Sequence, residues 1–563
     1  MKSRLFFGKN RLLFFVLVFA AFIRLLFLTS IPPALNWDEV SHGYNAYSIL
    51  KTGRDEWGNI LPLSNFRAYG DYPLALNLYL TVPFVAIFGL NELAIRLPHA
   101  LLGTLTVLAA YFLALGLTKS KRISLLTALL VAIEPWSLFL SRFVVQSNLS
   151  VFFLTAALAA FFNRNLNRYL FPLSILFFGL TLYSYHTTRI VTPILLILGL
   201  YIYRKLIWKE LNSQPKVKLF SVTILLVLFV PLLFVGPEAA ARSKFTFIIN
   251  EGAISKIIEL RQKSKLPQAL SRLVYNRPVY FIRQLADNYI DYFSPKFLFN
   301  KGGTQYQFSV PDKGLLYPIG LPFFYFGLIL LIKKAFKGET DYRFLLIWLV
   351  ISPLPAAITT ETNAVVRATA MLPLPMIVTA IGFEAVSGWV KNKVKQGNIW
   401  FYAVYFVVLA LFAGGYLKAY LTDYRRDYSW SWQYGYKQAV EYSKANYQKY
   451  DKIIVTKKYG EPHEFFLFFW PWDPKTYQTD PNLIRFNQSG WYWVDAFDKF
   501  YFVNDWQVPR DGEVFILESK KEIECRDSKC LLITSPENFP SQWKRLETIN
   551  FLDGKPAFEI FAN

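Results

Sequence analysis

The chain has 563 residues, of which 54% are hydrophobic and 18% aromatic, and its mean hydropathy is +0.27. A soluble protein of this length rarely has such a composition, and the apolar residues lie in runs of roughly 15–20, so the sequence indicates a polytopic membrane protein. The net charge of +22 does not indicate a nucleic-acid partner, because the Lys and Arg residues lie mostly in short loops between the apolar runs.

The first apolar run, residues 12–29, is preceded by the basic residues Lys2, Arg4, Lys9 and Arg11. This arrangement is typical of a signal peptide, but no small-residue cleavage site follows, and Pro32-Pro33 ends the run. We therefore expect a retained helix with a cytoplasmic N-terminus.

Two adjacent carboxylates follow this run in the segment Leu35-Asn36-Trp37-Asp38-Glu39. At the water side of a membrane bundle, a carboxylate such as Asp38 can act as a general base or bind a metal. The alternative is that Asp38 and Glu39 only cap a surface helix beginning near Val40, because Asp is a good N-cap residue. The rest of the chain favours the first interpretation.

Further apolar runs recur along the chain up to residue 417. About eleven spans, several of them short and therefore tilted, are predicted. They cover residues 12–29, 97–117, 123–140, 148–162, 169–185, 190–203, 219–235, 315–332, 344–358, 368–386 and 400–417. With the N-terminus inside, the basic loops all lie on the cytoplasmic side, and the odd number of spans places the C-terminus outside.

Two long segments lie outside in this arrangement, a first outer loop at residues 30–96 and a large outer loop at residues 236–314. Within the first outer loop, residues 72–90 are apolar but interrupted by prolines, so we expect a helix in the outer interface and not a span. The predicted membrane domain comprises residues 1–419.

Residues 420–563 lack long apolar runs and contain short apolar segments that are typical of buried strands. These segments are residues 451–456, 514–517 and 531–534, and an amphipathic helix is expected at 432–447. The pattern predicts a small extracytoplasmic α/β domain, in which Cys525 and Cys530 are close enough in sequence for a local disulfide.

Single arginines lie near the outer ends of the predicted spans, where the orientation rule disfavours positive charge. They are Arg24, Arg96, Arg142, Arg189, Arg242 and Arg367. As a group they predict an anion site beside Asp38, because the planar guanidinium group suits phosphate. His186 lies beside Arg189, where it is either a hydrogen-bond partner of the same anion or an interfacial histidine. The alternative for each arginine is that it reaches the headgroups of the outer leaflet.

His42 follows Asp38 by four residues, so the two share a face if the segment is helical. Asp38, Glu39 and His42, with Asp71 in the same loop, form a candidate site for a divalent metal ion, which is the only cofactor expected. The alternative is a first loop that is merely rich in polar residues. The sequence contains no Walker motif, dinucleotide-binding motif or zinc-binding cysteine cluster.

Several motifs resemble those of a known family. They run from the first helix to residue 373: Asn36-Trp-Asp-Glu39, Gly70-Asp-Tyr72, Phe88-Gly-Leu-Asn-Glu-Leu-Ala-Ile-Arg-Leu-Pro98, Glu134-Pro-Trp136, Ser141-Arg142, Asn148-Leu149, Thr359-Thr-Glu-Thr with Arg367, and Met371-Leu-Pro373. With these motifs the chain resembles the C-type (GT-C) membrane glycosyltransferases that use polyprenyl-phosphate sugars. The likeness is strongest to the protein O-mannosyltransferase superfamily, which includes the lipid A aminoarabinose transferases. Relatives often carry Lys-Pro-Pro or His-Pro-Pro where this chain has Pro73-Leu74-Ala75.

The resemblance implies an all-α polytopic membrane domain of GT-C type, together with the small C-terminal α/β domain. It implies that Asp38 is the catalytic base with Glu39 beside it, and that the outer arginines, His186, Asp71 and Tyr72 contact the donor. The enzyme would transfer one sugar, with inversion, from a polyprenyl phosphate to a protein, lipid or cell-wall acceptor at the outer face of the cytoplasmic membrane.

The expected partners are therefore the lipid-linked donor, a hydroxyl acceptor and membrane lipid, with no nucleic acid. One alternative is a transporter or flippase for lipid-linked sugars, which needs charged or broken helices near the midplane. The other is a non-catalytic protein that binds such lipids.

Overall fold

The structure is a computed structural model that describes residues 11–213, 215–229, 246–394, 397–488 and 490–563. The chain forms two compact units. The helical unit comprises Met1–Arg24, Ala100–Ser141 and Val145–Leu417, and the loop–sheet unit comprises Leu25–His99, Arg142–Val144 and Lys418–Asn563. The first outer loop therefore belongs to the same unit as the C-terminal segment, a grouping that differs from the linear boundary at residue 420 expected from the sequence.

The helical unit is built from helices, most of which are apolar. The helices that lie wholly or mainly in it are Arg11–Leu25, Glu92–Thr118, Lys121–Ile133, Pro135–Leu140, Gln146–Phe162, Leu170–Thr181, His186–Ser213, Pro215–Phe229, Glu251–Lys263, Gln268–Val274, Arg277–Asp291, Leu321–Phe336, Thr340–Ile351, Leu354–Ala357, Leu374–Lys393 and Gly397–Lys418. The predominantly helical character expected from the apolar runs is thereby confirmed.

Four of the described helices are long and apolar enough to cross a membrane: Glu92–Thr118, His186–Asn212, Pro318–Phe336 and Ile399–Asp427. Other apolar helices, such as Gln146–Phe162, are shorter than a straight span requires. The count of about eleven spans therefore remains a prediction.

Two helices of this unit approach each other so closely that their backbones touch. A Cβ on Gly327 would lie 2.1 Å from the carbonyl oxygen of Val378, and one on Gly382 would lie 1.9 Å from that of Phe323. Helices Leu321–Phe336 and Leu374–Lys393 thus meet through glycines, which is the way membrane helices gain close packing without a hydrophobic driving force.

The described part of the loop–sheet unit contains nine strands. They are β1 Lys452–Thr456, β2 Ile484–Gln488, β3 Trp491–Phe497, β4 Phe500–Val503, β5 Val514–Ile516, β6 Glu522–Glu524, β7 Cys530–Thr534, β8 Lys544–Asn550 and β9 Pro556–Ala562. Seven of them form one sheet in the order β2-β3-β4-β1-β7-β9-β8, in which β1 runs parallel to β4 and β7. The pair β5 and β6 forms a separate hairpin.

The three strand segments expected from the sequence are found as β1, β5 and β7, and β7 is buried along its whole length. The expected amphipathic helix is found at Tyr436–Ala445. A disulfide joins Cys525 and Cys530, next to β6 and at the start of β7.

The helices of this unit come from both the first outer loop and the C-terminal segment. They are Trp37–Thr52, Leu76–Phe88, Tyr436–Ala445, Pro462–Phe469 and Pro474–Gln478. Val40 and Tyr44 of the first of these helices lie in one buried core with Phe468 and with Ile453 of β1. At Gly43 a Cβ would lie 2.5 Å from the ring of Phe468, so the two segments pack at close range.

Candidate functional site

The acidic pair lies in the first turn of the first-loop helix, Trp37–Thr52. Asn36 caps this helix: its side chain accepts a hydrogen bond from the Glu39 N–H at 2.9 Å, and the Glu39 carboxylate accepts one from the Asn36 N–H. This reciprocal arrangement is a capping box, which satisfies two otherwise unpaired N–H groups. The cap is therefore made by Asn36 with Glu39.

Glu39 is completely buried and forms an ion pair with Arg96, which is also completely buried. Arg96 Nε donates to Glu39 Oε1 and Arg96 Nη2 to Oε2, both at 2.8 Å, in the bidentate geometry that makes such pairs strong. The backbone N–H of Val144 adds a second donor to Oε1 at 3.0 Å. Both Glu39 oxygens are thus engaged by groups of the protein.

The remaining donors of Arg96 hold the segment that precedes the acidic pair. Its Nη1 donates to the carbonyl oxygens of Leu28 and Pro32 at 3.1 and 3.0 Å, and its Nη2 donates to that of Ala34 at 2.5 Å. One buried guanidinium group therefore joins Glu39 to three points of the chain just before it, which fixes where the first-loop helix begins.

Asp38 is half-buried next to this ion pair, and two polar side chains contact it. The hydroxyl of Tyr69 donates to Asp38 Oδ1. With its proton on Nδ1, His42 donates to the Asp38 carbonyl oxygen at 2.7 Å. Both contacts restrain the carboxylate and the turn that carries it.

The buried side chains around Asp38 are held in their neutral forms. Burial lowers the pKa of His42, although the nearby carboxylates of Asp38 and Asp71 oppose the shift. Burial and the adjacent Asp38 raise the pKa of Tyr69 well above its usual value. Tyr69 therefore remains a hydrogen-bond donor at neutral pH, and its ring stacks on that of Trp491 with the centroids 5.3 Å apart.

The two other candidate residues of the first loop, Asp71 and Tyr72, are half-buried. Asp71 Oδ1 accepts a hydrogen bond from the Tyr72 N–H at 2.9 Å, which stabilises the turn. The Tyr72 ring lies 5.9 Å from the Arg67 guanidinium group, within the range of a cation–π contact.

Four of the predicted phosphate-binding arginines, Arg24, Arg96, Arg142 and Arg189, bind backbone carbonyls of the protein. Arg24 donates to the carbonyl oxygens of Ala132 and Val131 at 2.8 and 3.0 Å within the helical unit. Arg142 donates to those of Leu26 and Ile31 at 2.5 and 3.1 Å. Arg96 and Arg142 thus hold the backbone that follows the first helix, whereas Arg24 joins the first helix to helix Lys121–Ile133.

His186 and Arg367 line one cavity of about 240 Å³ in the helical unit, together with Tyr185, Thr246 and Thr359. Arg367 donates to Thr359 Oγ1 and pairs with Glu361, each at 3.0 Å. Arg189 follows His186 by three residues on the same helix and donates to the Leu182 carbonyl oxygen at 2.9 Å. Arg242 lies outside the described residues.

The candidate metal ligands Asp38, Glu39 and His42 are neighbours on one helix, but their coordinating atoms do not converge. Within the described ranges, the group of acidic and histidine side chains whose ligand atoms do converge is Glu56, His463 and Glu464. The sequence reasoning overlooked this group and also Tyr69. The only local signals were the run Glu461-Pro-His-Glu464 and the position of Tyr69 next to Gly70-Asp71.

Residues 14–240 match the family described as dolichyl-phosphate-mannose-protein mannosyltransferase. None of the curated proteins matches the chain.

Three solved structures resemble this chain to differing degrees. ArnT from Cupriavidus metallidurans, solved with undecaprenyl phosphate, is 11% identical with a TM-score of 0.52, and the alignment covers 99% of this chain and 98% of that one. The oligosaccharyltransferase of Archaeoglobus fulgidus is 14% identical with a TM-score of 0.49, over 82% of this chain and 64% of that one. The Pmt1–Pmt2 protein O-mannosyltransferase of S. cerevisiae, bound to its sugar donor, is 18% identical with a TM-score of 0.31, over 46% and 37%.

The chain thus spans about 64% of the length of the archaeal oligosaccharyltransferase and nearly all of ArnT. Of the three likenesses, that to ArnT shows a shared fold. The predicted resemblance to GT-C glycosyltransferases is confirmed, because residues 14–240 match a mannosyltransferase family and the fold is shared with ArnT. Two coarse features are confirmed as well, a helical fold of this type and a C-terminal domain rich in strands.

The Glu39–Arg96 pair generates a prediction about stability. Arg96→Met leaves the Glu39 charge buried without its partner, so it should lower the free energy of unfolding by about 3–5 kcal/mol. The double variant Glu39→Leu/Arg96→Met should cost less than the sum of the single variants, because no lone charge remains. Both are measured as unfolding temperatures of the purified protein in detergent.

The matched control is Arg122→Met, which breaks an ion pair with Glu384 whose arginine is 73% exposed. Exposed pairs contribute only about 0–1 kcal/mol, so this variant should unfold close to the wild-type temperature. An Arg96→Met protein as stable as Arg122→Met would contradict the role given to the buried pair.

Proposed function

We propose that this protein transfers one sugar from a polyprenyl phosphate to a hydroxyl group of an acceptor, with Asp38 as the general base. The observation that carries the proposal is the restrained, half-buried Asp38 carboxylate, held by Tyr69 and lying beside a buried ion pair. The match to mannosyltransferases over residues 14–240 supports the reaction class.

The reaction is a single displacement at the anomeric carbon. The acceptor oxygen forms a bond to that carbon while the bond between the carbon and the phosphate oxygen breaks, and the configuration inverts. Asp38 takes the proton of the acceptor hydroxyl, and the electron pair of the broken bond leaves with the lipid phosphate. Proton transfer by a positioned carboxylate is effective here because the hydroxyl becomes acidic as its oxygen attacks.

The proposed role of Glu39 is to position Asp38. Both Glu39 oxygens accept hydrogen bonds from Arg96. Glu39 therefore fixes the turn and does not take a proton. Arg24, Arg96 and Arg142 are likewise proposed as groups that hold the backbone. Asp71 and Tyr72 are proposed to contact the substrate from the first loop.

For the lipid phosphate we propose the cavity lined by His186 and Arg367, with Arg189 one turn away and Arg242 as a further candidate. A guanidinium group and an imidazole suit an anion whose charge grows as it departs. The same helix, His186–Ser213, also lines an apolar cavity of about 320 Å³, together with Phe171 and Leu225.

The order of these cavities along the helix supports a prenyl phosphate as the ligand. Ile190 lines the cavity that contains His186 and Arg367, and Leu195 lines the apolar cavity. These two residues are five positions apart on the helix, which corresponds to a rise of about 7.5 Å. A ligand with a phosphate head and a hydrocarbon tail can therefore lie along this helix with each end in a matching environment.

We also propose that the enzyme lies in the cytoplasmic membrane, with its N-terminus inside and the C-terminal segment outside. The loop charge asymmetry supports this orientation, and so does the disulfide Cys525–Cys530, because disulfides persist in oxidising compartments. A transporter would need broken or charged helices near the midplane, and the comparisons support an enzyme instead.

The first prediction concerns the base. Asp38→Asn keeps the shape of the side chain but accepts no proton, so turnover should fall about 10²–10⁴-fold while donor binding is retained. Tyr69→Phe keeps the ring on Trp491 and removes the hydrogen bond, and it should lower turnover less. Transfer from purified polyprenyl-phosphate monosaccharides is measured beside donor binding, with the exposed Asp511→Asn as control. Near-normal turnover of Asp38→Asn rules out this mechanism.

The second prediction concerns the phosphate. Arg367→Ala and Arg189→Ala should each weaken donor use by about 1.5–3 kcal/mol, the usual loss for one charge-assisted hydrogen bond. Donor kcat/KM is measured for both variants, with Arg367→Lys to test charge alone and the exposed Arg168→Ala as control. If both alanine variants use the donor as the wild type does, these arginines serve lipid headgroups and not the substrate.

The third prediction concerns orientation. Alkaline phosphatase fused after Asn563 should be active, because this reporter folds only outside the cytoplasm. Green fluorescent protein fused at the same point should not fluoresce, because it folds only in the cytoplasm. Fusions after Ser120 should give the opposite pattern. A fluorescent, phosphatase-inactive fusion at Asn563 would place the C-terminal segment in the cytoplasm.

A further inference from the structure

Four titratable side chains form a cluster inside the loop–sheet unit, apart from Asp38. Glu56 comes from the first outer loop, whereas Glu461, His463 and Glu464 lie at the start of helix Pro462–Phe469. His463 is 3% exposed and the three glutamates are each 1% exposed. So many ionisable groups are seldom buried together unless they are paired or bind a metal.

Local sequence explains why these side chains face inward. Strand β1 ends at Thr456, and the turn that follows reaches Gly460, whose φ is +81°. A Cβ at this position would lie 2.1 Å from the ring of Trp37, so the turn lies against the residue next to Asp38. Pro462 then begins the helix, and its first turn carries His463 and Glu464.

The members of the cluster hydrogen-bond one another only in part: Glu56 and Glu464 hydrogen-bond each other, and Glu464 also hydrogen-bonds Ser41. His463 Nδ1 is 3.6 Å from Glu461 Oε2, and His463 Nε2 is 3.8 Å from Glu464 Oε1, both beyond hydrogen-bond range. Among the described residues, no hydrogen-bond partner is found for His463 Nδ1, Glu461 Oε2 or Glu464 Oε2. Unsatisfied buried polar atoms of this kind are rare in proteins, and an ion bound among them would satisfy them.

The nearby polar and charged groups satisfy only part of the cluster. Glu461 Oε1 accepts from Trp491 Nε1 at 2.6 Å, and Glu56 Oε2 accepts from Asn45 Nδ2 at 3.2 Å. Lys457 is paired with Asp495 and Glu518. Arg485 donates to the backbone oxygen of Glu56 and leaves the carboxylates of the cluster without a bidentate partner among the described residues.

The protonation behaviour of the cluster follows from this environment. Burial raises the pKa of Glu56 to about 7 and that of Glu461 to about 8. Burial, with Arg485 and Lys457 nearby, lowers the pKa of His463 well below its usual value. The imidazole is therefore neutral, which is the form that binds metals, and a divalent cation would allow the carboxylates to ionise.

We propose that Glu56, His463 and Glu464 bind a divalent metal ion of the zinc class. One ligand atom of each residue lies within 4.8 Å of the others. Ligands bound to tetrahedral zinc at about 2.0–2.1 Å are about 3.3–3.5 Å apart, so the three side chains need to close by only about an ångström.

The donor set favours zinc over magnesium or calcium. A neutral imidazole is a ligand for zinc and related transition metals, whereas calcium takes six to eight oxygen ligands and magnesium keeps several waters. With His463 Nε2 on the metal, Nδ1–H points to Glu461 Oε2, the carboxylate–histidine–zinc arrangement that fixes the imidazole.

The metal would join the first outer loop to the C-terminal segment within this unit. Glu461 also holds Trp491, whose ring stacks on Tyr69, and Tyr69 donates to Asp38. The ion therefore supports the residues that position Asp38, although metal binding itself does not depend on the proposed transfer reaction.

The test uses the full chain in detergent, stripped with a chelator and then titrated with zinc or cobalt. We expect one zinc ion per chain by elemental analysis, a higher unfolding temperature with zinc, and no such effect from magnesium at the same concentration. Bound cobalt should show the visible bands of a tetrahedral site without thiolate charge-transfer bands, because both cysteines are in the disulfide.

The variants His463→Gln and Glu56→Gln should each lose at least tenfold in zinc affinity, and Glu461→Gln should lose about tenfold because it only orients the imidazole. His186→Gln removes a histidine outside the cluster and should bind zinc as the wild type does. Wild-type affinity in His463→Gln overturns the proposal. If the variants do not fold, the wild-type protein alone tests the proposal. A wild-type chain that binds no zinc, or whose unfolding temperature does not rise with zinc, also overturns the proposal.

Discussion

The arrangement around Asp38 depends on one buried ion pair. Arg96 and Glu39 are both withdrawn from water. This loss of hydration costs free energy, and the ion pair offsets the cost only if its geometry is good and every donor finds an acceptor. Here the fork of Arg96 meets both oxygens of Glu39, and its other hydrogen bonds go to three carbonyls of the preceding segment. The pair thus fixes the start of the helix that carries Asp38, so the placement of the Asp38 carboxylate follows from the burial of its neighbour.

This pair also shows the limit of sequence reasoning. The spacing Asn36-x-x-Glu39 is a capping-box pattern that can be recognised locally, and the apolar runs predict helices because their composition alone suffices. Arg96 lies 57 residues from Glu39, and no local pattern links them. The sequence could only suggest that an outer arginine suits phosphate, an inference that is chemically sound for an exposed guanidinium group. The structure gives four of these arginines, Arg24, Arg96, Arg142 and Arg189, backbone carbonyl partners.

The C-terminal segment was predicted in its parts and not in its assembly. Three apolar segments were recognisable as strands because each is short, apolar and β-branched. The sheet order, with β1 between β4 and β7, depends on contacts between strands that are far apart in the chain. The union of this sheet with the first outer loop depends on the Phe-rich helix Pro462–Phe469 packing on the first-loop helix, as at Gly43. Neither long-range contact leaves a periodic signal.

The hydrogen bond from Tyr69 affects both the orientation of the Asp38 carboxylate and its strength as a base. A hydrogen bond to a carboxylate stabilises its charged form and so makes it a weaker base. Partial burial beside the low-dielectric core acts in the opposite direction, because it disfavours the charge. The hydrogen bond fixes one oxygen, and Tyr69 in turn is held by Trp491 of β3. For an acceptor whose hydroxyl becomes acidic only during attack, a well-placed weak base is sufficient. The C-terminal segment therefore contributes to the proposed chemistry through geometry, by determining the direction in which Asp38 accepts its proton.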